Sequence, residues 1–136
     1  MTSDRTIKRI LFVCVENANR SQMAEAFARI HGKDTVAVYS AGSRPSARVN
    51  PRAVESMREV GYDLSVHQPK ALEDVLDMVY DVVVTMGCGE ACPAVRAKER
   101  RDWSIPDPKE LSPEEFRQVR DQIENKVKQL LVELGK

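Results

Sequence analysis

The chain has 136 residues, enough for one domain with a real core and not obviously for two, and its 42% hydrophobic and 31% charged residues are an ordinary globular mix. Lys and Arg balance Asp and Glu at a formal net charge of +0, which leaves no electrostatic case for nucleic acid or an anionic membrane as a partner. The apolar runs are too short to cross a bilayer and three cysteines are too few for a disulfide scaffold, so a cytoplasmic, monomeric protein is expected.

Taken in chain order, residues 1–7 are polar and read as a flexible tail ahead of a single domain that fills 1–136. Ile10–Val15 is a continuous apolar run, the pattern of a strand covered on both faces. Met23, Phe27 and Ile30 follow at helical spacing, with a stop at His31-Gly32. The stretch "TVAVYSAG" predicts a second strand. Asn50-Pro51 predicts the start of a helix whose apolar face is Val54, Met57 and Val60, ended by Gly61. "YDVVVTM" reads as a third strand, "GCGEACP" as a loop, and "RDWSI" as a fourth strand closed by "PDP". Ser112-Pro113-Glu114-Glu115 is a capping box that opens a long helix carrying Phe116, Val119, Ile123, Val127, Leu130 and Leu134 on one face, ended by Gly135. Strands alternating with helices predict an α/β fold with a parallel sheet, in which sites lie beyond the C-terminal strand ends. Cys14, Cys88, Cys92 and Asp107 all fall at such ends.

The first of these ends carries the most specific pattern, "CVENANRS". A tight turn from Val15 through Glu16, Asn17, Ala18 and Asn19 to Arg20 can curl its backbone N–H groups around one anion at a helix N-terminus. Arg20 adds a planar, two-pronged donor suited to a tetrahedral oxyanion. The same surroundings stabilise a sulfur anion at Cys14, to which Ser21 can donate its hydroxyl. Taken alone, a cysteine and an arginine at this spacing are also compatible with a buried structural thiol and a surface cation. Asn17 suits the left-handed backbone of such a curl. Glu16 is at odds with an anion site and is expected to point outward.

These residues resemble the low-molecular-weight protein tyrosine phosphatase superfamily and, within it, the arsenate reductase branch. "VCVENANRSQMAEAF", "SAG", "GYDLSVHQPK", "VVVTMGCGEACP" and "IPDPK" stand in that order over nearly all of the chain after residue 7. The resemblance implies a four-stranded parallel sheet flanked by helices, with Cys14 as nucleophile, Arg20 as oxyanion clamp, Ser21 as partner of the thiolate and Asp107 as general acid. Flanking Pro106 and Pro108 stiffen the backbone around that carboxyl, and a departing oxygen needs a proton donor.

Cys88 and Cys92 enclose three residues. Within one helical turn their Cα atoms would lie roughly 6 Å apart, within reach of a disulfide, whereas extended chain would place them at roughly twice that distance. So short a bridge suits redox exchange better than stapling. A zinc site lacks ligand spacing to His31 or His67, and two inert loop cysteines are the plainer alternative. The three thiols and the resemblance together give a relay. Cys14 attacks arsenate, Cys88 attacks the arsenic-bound sulfur and releases arsenite, and Cys92 displaces Cys14. The resulting Cys88–Cys92 disulfide is then reduced by thioredoxin, glutaredoxin or a low-molecular-weight thiol. Familiar thioredoxin-linked members space their last two cysteines more widely, which leaves the order of attack open.

Phosphotyrosine hydrolysis through a phosphocysteine is the alternative activity, and a non-catalytic oxyanion or arsenic sensor is a third. Phosphatases of this superfamily tend to carry aromatic residues after the Asp-Pro pair; here Lys109 follows Pro108, so phosphatase action is expected only as a side activity. The resemblance also places Asn17, Glu25, Ser40 and Asp63 where some reductases bind potassium, although loop-bracing hydrogen bonds are the simpler expectation and no other cofactor is expected. His67 is expected to be structural. Arg96, Lys98, Arg100 and Arg101, interspersed with Glu99 and Asp102, read as a solvated face.

Overall fold

The computed structural model describes residues 7–86 and 95–135. Among these the chain forms strands β1 (Lys8–Cys14), β2 (Val36–Gly42), β3 (Val79–Thr85) and β4 (Arg96–Asp102), and helices α1 (Arg20–Gly32), α2 (Pro51–Arg58) and α3 (Pro113–Leu134). The strands make one sheet in the order β2-β1-β3-β4, every neighbouring pair parallel. This is the α/β architecture expected from the alternation of elements.

Central β1 is continuous in apolar character because both of its faces are covered. Ile10, Phe12 and Cys14 belong to a large core that also takes Met23 and Phe27 of α1, Met57 of α2, and Ile123, Val127 and Leu130 of α3. Leu11 and Val13 point the opposite way, into a smaller cluster with Ala41, Val75, Tyr80, Val83 and Val95. The α3 capping box forms as read: the Ser112 side chain accepts from the Glu115 backbone and the Glu115 carboxylate accepts from the Ser112 backbone.

Three expectations are corrected. The fourth strand is Arg96–Asp102, not "RDWSI". Its ladder partner lies on one side only, so charged side chains decorate an edge whose open side discourages pairing with another chain. Arg101 pairs with Glu99 and with Glu133 of α3, and Lys98 with Asp81. Trp103 and Ile105 are buried just beyond the strand and join the large core. In α2 the buried residues are Ala53, Ser56 and Met57, while Val60 lies past the helix end and is exposed. The first strand ends at Cys14, one residue early, because Val15 already belongs to the turn.

Gly32, the last residue of α1, lies close against the start of β2. A Cβ there would meet the Val36 side chain at 2.6 Å, while the positive φ of the turn falls on Lys33 at 48°. No helix among the described residues is long and apolar enough to cross a membrane. The tail expectation for 1–7 lies largely outside the described residues, as do Cys88 and Cys92.

Candidate active site

Cys14 is the last residue of β1 and sits in register with Gly42, the last of β2. The chain must reverse from strand into helix α1 within the five residues 15–19. Asn17 absorbs the tightest point at φ 52°, a conformation that asparagine tolerates better than most residues. Space for the turn depends on Gly42: a Cβ there would lie 2.5 Å from the Val15 carbonyl oxygen, 2.9 Å from the Asn17 nitrogen and 3.0 Å from the Cys14 carbonyl oxygen. All three obstacles are backbone atoms.

The buried polar side chains under the turn form one connected set. Ser21 Oγ lies 2.9 Å from Cys14 Sγ, and Asn17 Nδ2 donates to Ser21 Oγ at 2.7 Å. Asn17 Oδ1 accepts from Gln22 Nε2 at 3.0 Å and from the Lys70 backbone at 2.8 Å. Gln22 Nε2 also donates to the carbonyl oxygens of Asn17 and Gln68. Gln22 Oε1 can only accept, so the Nδ1 of His67, 2.9 Å away, carries a proton. Tyr62 Oη lies 2.7 Å from Nε2 of the same ring. Burial holds His67 below the ordinary histidine value, opposed by the Glu25 carboxylate. His67 is thus structural, as expected, and its structure is that of the oxyanion loop.

Arg20 opens α1 and reaches across the strand ends. Its Nη1 donates to the carbonyl oxygens of Met86 at 2.6 Å and Ile105 at 3.0 Å, which fixes the plane of the guanidinium. Its Nη2 lies 3.9 Å from Asp107 Oδ2. Asp107 is itself held: it caps a short turn at Pro108–Glu110, its Oδ1 accepting from the Lys109 backbone at 3.0 Å, with the side chain half exposed. The structure therefore brings Cys14, Arg20, Ser21 and Asp107 together. Cys14, Val15, Glu16, Ala18, Asn19, Arg20 and Asp107 line an open pocket of about 220 Å³, and the start of α1 faces it. A thiol at its floor, a guanidinium at its side and a carboxyl at its rim can attack, hold and protonate a small tetrahedral oxyanion.

Glu16 points away from the floor, and its Oε2 lies 3.5 Å from Lys109 Nζ at the rim. Of the residues considered for potassium, Asn17, Glu25 and Asp63 accept from donors of the chain and Ser40 donates to Glu25. Ser40 Oγ donates to Glu25 Oε1 at 2.5 Å, Arg29 pairs with Glu25 Oε2 at 2.7 Å, Asn17 Oδ1 is taken as described, and exposed Asp63 turns onto Ser65. The contacts of Asn17, Glu25 and Ser40 brace the loop by hydrogen bonds, as the simpler expectation had it. Among the described residues no group of His, Cys, Asp and Glu is placed to hold a metal.

Sequence reading missed Gln22 and Arg52. Gln22 looks like an ordinary helix residue, and only its lack of any exposure marks it out. Arg52 follows a helix-starting Asn-Pro pair and resembles a surface cation, yet it donates to carbonyls of the Asp107 turn.

The sequence profile of the low molecular weight phosphotyrosine protein phosphatase family matches residues 9–136. A glutaredoxin arsenate reductase of Synechocystis is 40% identical over 132 residues, covering 95% of this chain and all of that protein. A solved arsenate reductase in a phosphate-binding state superposes with a TM-score of 0.86 at 40% identity, covering 93% of this chain and 98% of that one. A thioredoxin-dependent arsenate reductase of Corynebacterium glutamicum superposes with a TM-score of 0.80 at 33% identity, covering 98% of this chain and 66% of that one.

Proposed function

The chain belongs to the low molecular weight phosphotyrosine protein phosphatase family, and from that premise we propose that it is an arsenate reductase working through a thiol relay. The observation that carries the reading is Cys14 seated beside Ser21 on the floor of a pocket shared with Arg20 and Asp107. The Cys14 thiolate attacks arsenic, a sulfur–arsenic bond forms, and an oxygen leaves as water with the proton from Asp107. Arg20 holds the remaining oxygens.

Cys88 then attacks Cys14 Sγ. A disulfide forms, the sulfur–arsenic electron pair stays on arsenic, and arsenic(V) departs as arsenite. Attack by Cys92 on Cys88 frees Cys14 and leaves a Cys88–Cys92 disulfide, which an external dithiol or two thiols reduce. The extra cysteines, the arsenate reductase relatives and the absence of an aromatic residue among the described residues that line the pocket all favour this over phosphotyrosine hydrolysis. A free thiol relay requires a reducing compartment, so we assign it to the cytoplasm. Both thioredoxin-type and glutaredoxin-type donors are represented among the relatives.

The test is an NADPH-coupled assay with arsenate, run with thioredoxin and with glutaredoxin systems on wild type and Cys88→Ser. Turnover in the wild type with at least one donor, and its loss in Cys88→Ser, is the expected result. Equal turnover in both proteins removes the redox role of Cys88.

A further inference from the structure

We infer that Arg52 is a positioning residue for the general acid, setting how far Asp107 stands from the oxyanion loop. The inference rests on the reading of Asp107 as the acid of the proposed reaction. Arg52 lies in the first turn of α2, and its guanidinium forks over the Asp107 turn: Nη1 donates to the Lys109 carbonyl at 2.8 Å, and Nη2 donates to the Leu111 carbonyl. The cation sits 5.0 Å from the centre of the Phe116 ring, which holds the fork from behind. One carbonyl lies within the turn and the other just past it, and the turn's first N–H, that of Lys109, is bonded to the Asp107 carboxylate.

The other end of the same helical turn is tied to the oxyanion loop. Asn50 caps α2 by accepting the Arg52 backbone N–H at 2.8 Å, and the Asn50 backbone N–H donates to the Ala18 carbonyl at 3.0 Å. An unbroken path of hydrogen bonds therefore runs from Ala18, through Asn50 and Arg52, to Lys109. Ala18 and Asp107 both line the pocket. Lys109 and Glu16 form a half-exposed ion pair at 3.5 Å across the rim, and such pairs hold little, while Arg20 bonds the Ile105 carbonyl two residues before Asp107 and so leaves the turn after Asp107 to Arg52. The guanidinium presents two separate donors in a rigid plane, one to each carbonyl, whereas an ammonium is one compact centre, so Arg52→Lys keeps the charge and loses the fixed fork.

The readout is leaving-group dependence in the hydrolysis of aryl phosphates, which use the same thiol, clamp and acid. In Arg52→Ala, turnover of phenyl phosphate, whose phenolate must be protonated as it leaves, falls roughly 10- to 100-fold, while turnover of 2,4-dinitrophenyl phosphate changes less than roughly threefold. Inhibition by inorganic phosphate is unchanged, and Arg52→Lys falls between wild type and Arg52→Ala. In an Asp107→Asn background, Arg52→Ala adds no further loss on phenyl phosphate. Equal losses on the two esters, or undiminished phenyl phosphate turnover, overturn the assignment. A wild type that hydrolyses both esters but reduces no arsenate defeats the proposed function and leaves the role of Arg52 to the ester ratio. Amide exchange at Lys109 and Leu111 decides independently of any turnover: it accelerates in Arg52→Lys relative to that of Met23 in α1, and unchanged exchange also overturns the assignment.

Discussion

Ser21 has one proton and two lone pairs to place. Asn17 Nδ2 takes a lone pair, and when Cys14 is anionic only the hydroxyl has a proton to give, so Ser21 donates to the sulfur. Hydrogen bonds to a charged group contribute about 1.5–3 kcal/mol, so Ser21→Ala is expected to lower arsenate turnover roughly 10- to 100-fold. Asn17→Ala acts through the same hydroxyl, and steady-state kinetics of the double variant should show much less than the sum of the two losses. His67 makes a second prediction. Its folded value lies below the ordinary 6.5 because burial opposes its charge, with Arg29 and Lys70 acting in the same direction and Glu25 and Asp63 against it. The unfolded chain therefore binds the proton first, and stability falls as pH drops below about 6.5, levelling once the folded ring also titrates. Denaturant midpoints across that range should show the slope, and His67→Gln should flatten it. Glu59, Asp63 and Asp81, held below their ordinary values, add a separate loss at more acidic pH.

At the scale of elements, the site is a meeting of ends: β1 runs out under the oxyanion loop, β2 passes beneath it at Gly42, and α2 braces it from Asn50. Gly42→Ala pushes a methyl into three backbone atoms that cannot swing aside. A loss of about 1–3 kcal/mol in urea unfolding is expected, with a fall in turnover at unchanged Cys14, Arg20 and Asp107. A substitution as stable and active as wild type would show that the loop has room to shift. How far each element was legible follows its chemistry. β1 and β3 announce themselves because burial on two faces needs unbroken apolar runs, and α3 because its cap is written in side chains. β4 was hidden because an edge strand is held by its backbone and can carry RAKERRD outward. The nucleophile, clamp and acid could be read from residue type and flanking prolines. Gln22 and Arg52 could not, because a buried amide and a guanidinium bonded to carbonyls look like surface residues until the chain is folded.

For the molecule as a whole, one parallel sheet delivers Cys14 from β1, the Met86 carbonyl after β3, and Asp107 after β4 to the C-terminal end of its strands, so a single pocket is assembled from distant parts of the chain. Arg20 joins two of these segments by bonding the carbonyls of Met86 and Ile105 while facing Asp107. The segment 87–94, with Cys88 and Cys92, lies outside the described residues. The reduction therefore stands on chemistry that mass spectrometry can read directly. The decisive measurement is the intact and peptide mass of Cys92→Ser after a single turnover with one equivalent of arsenate. The expected result is one arsenite released per chain and a Cys14–Cys88 disulfide; arsenite released with all remaining thiols free, or with a disulfide that excludes Cys14, would contradict the account.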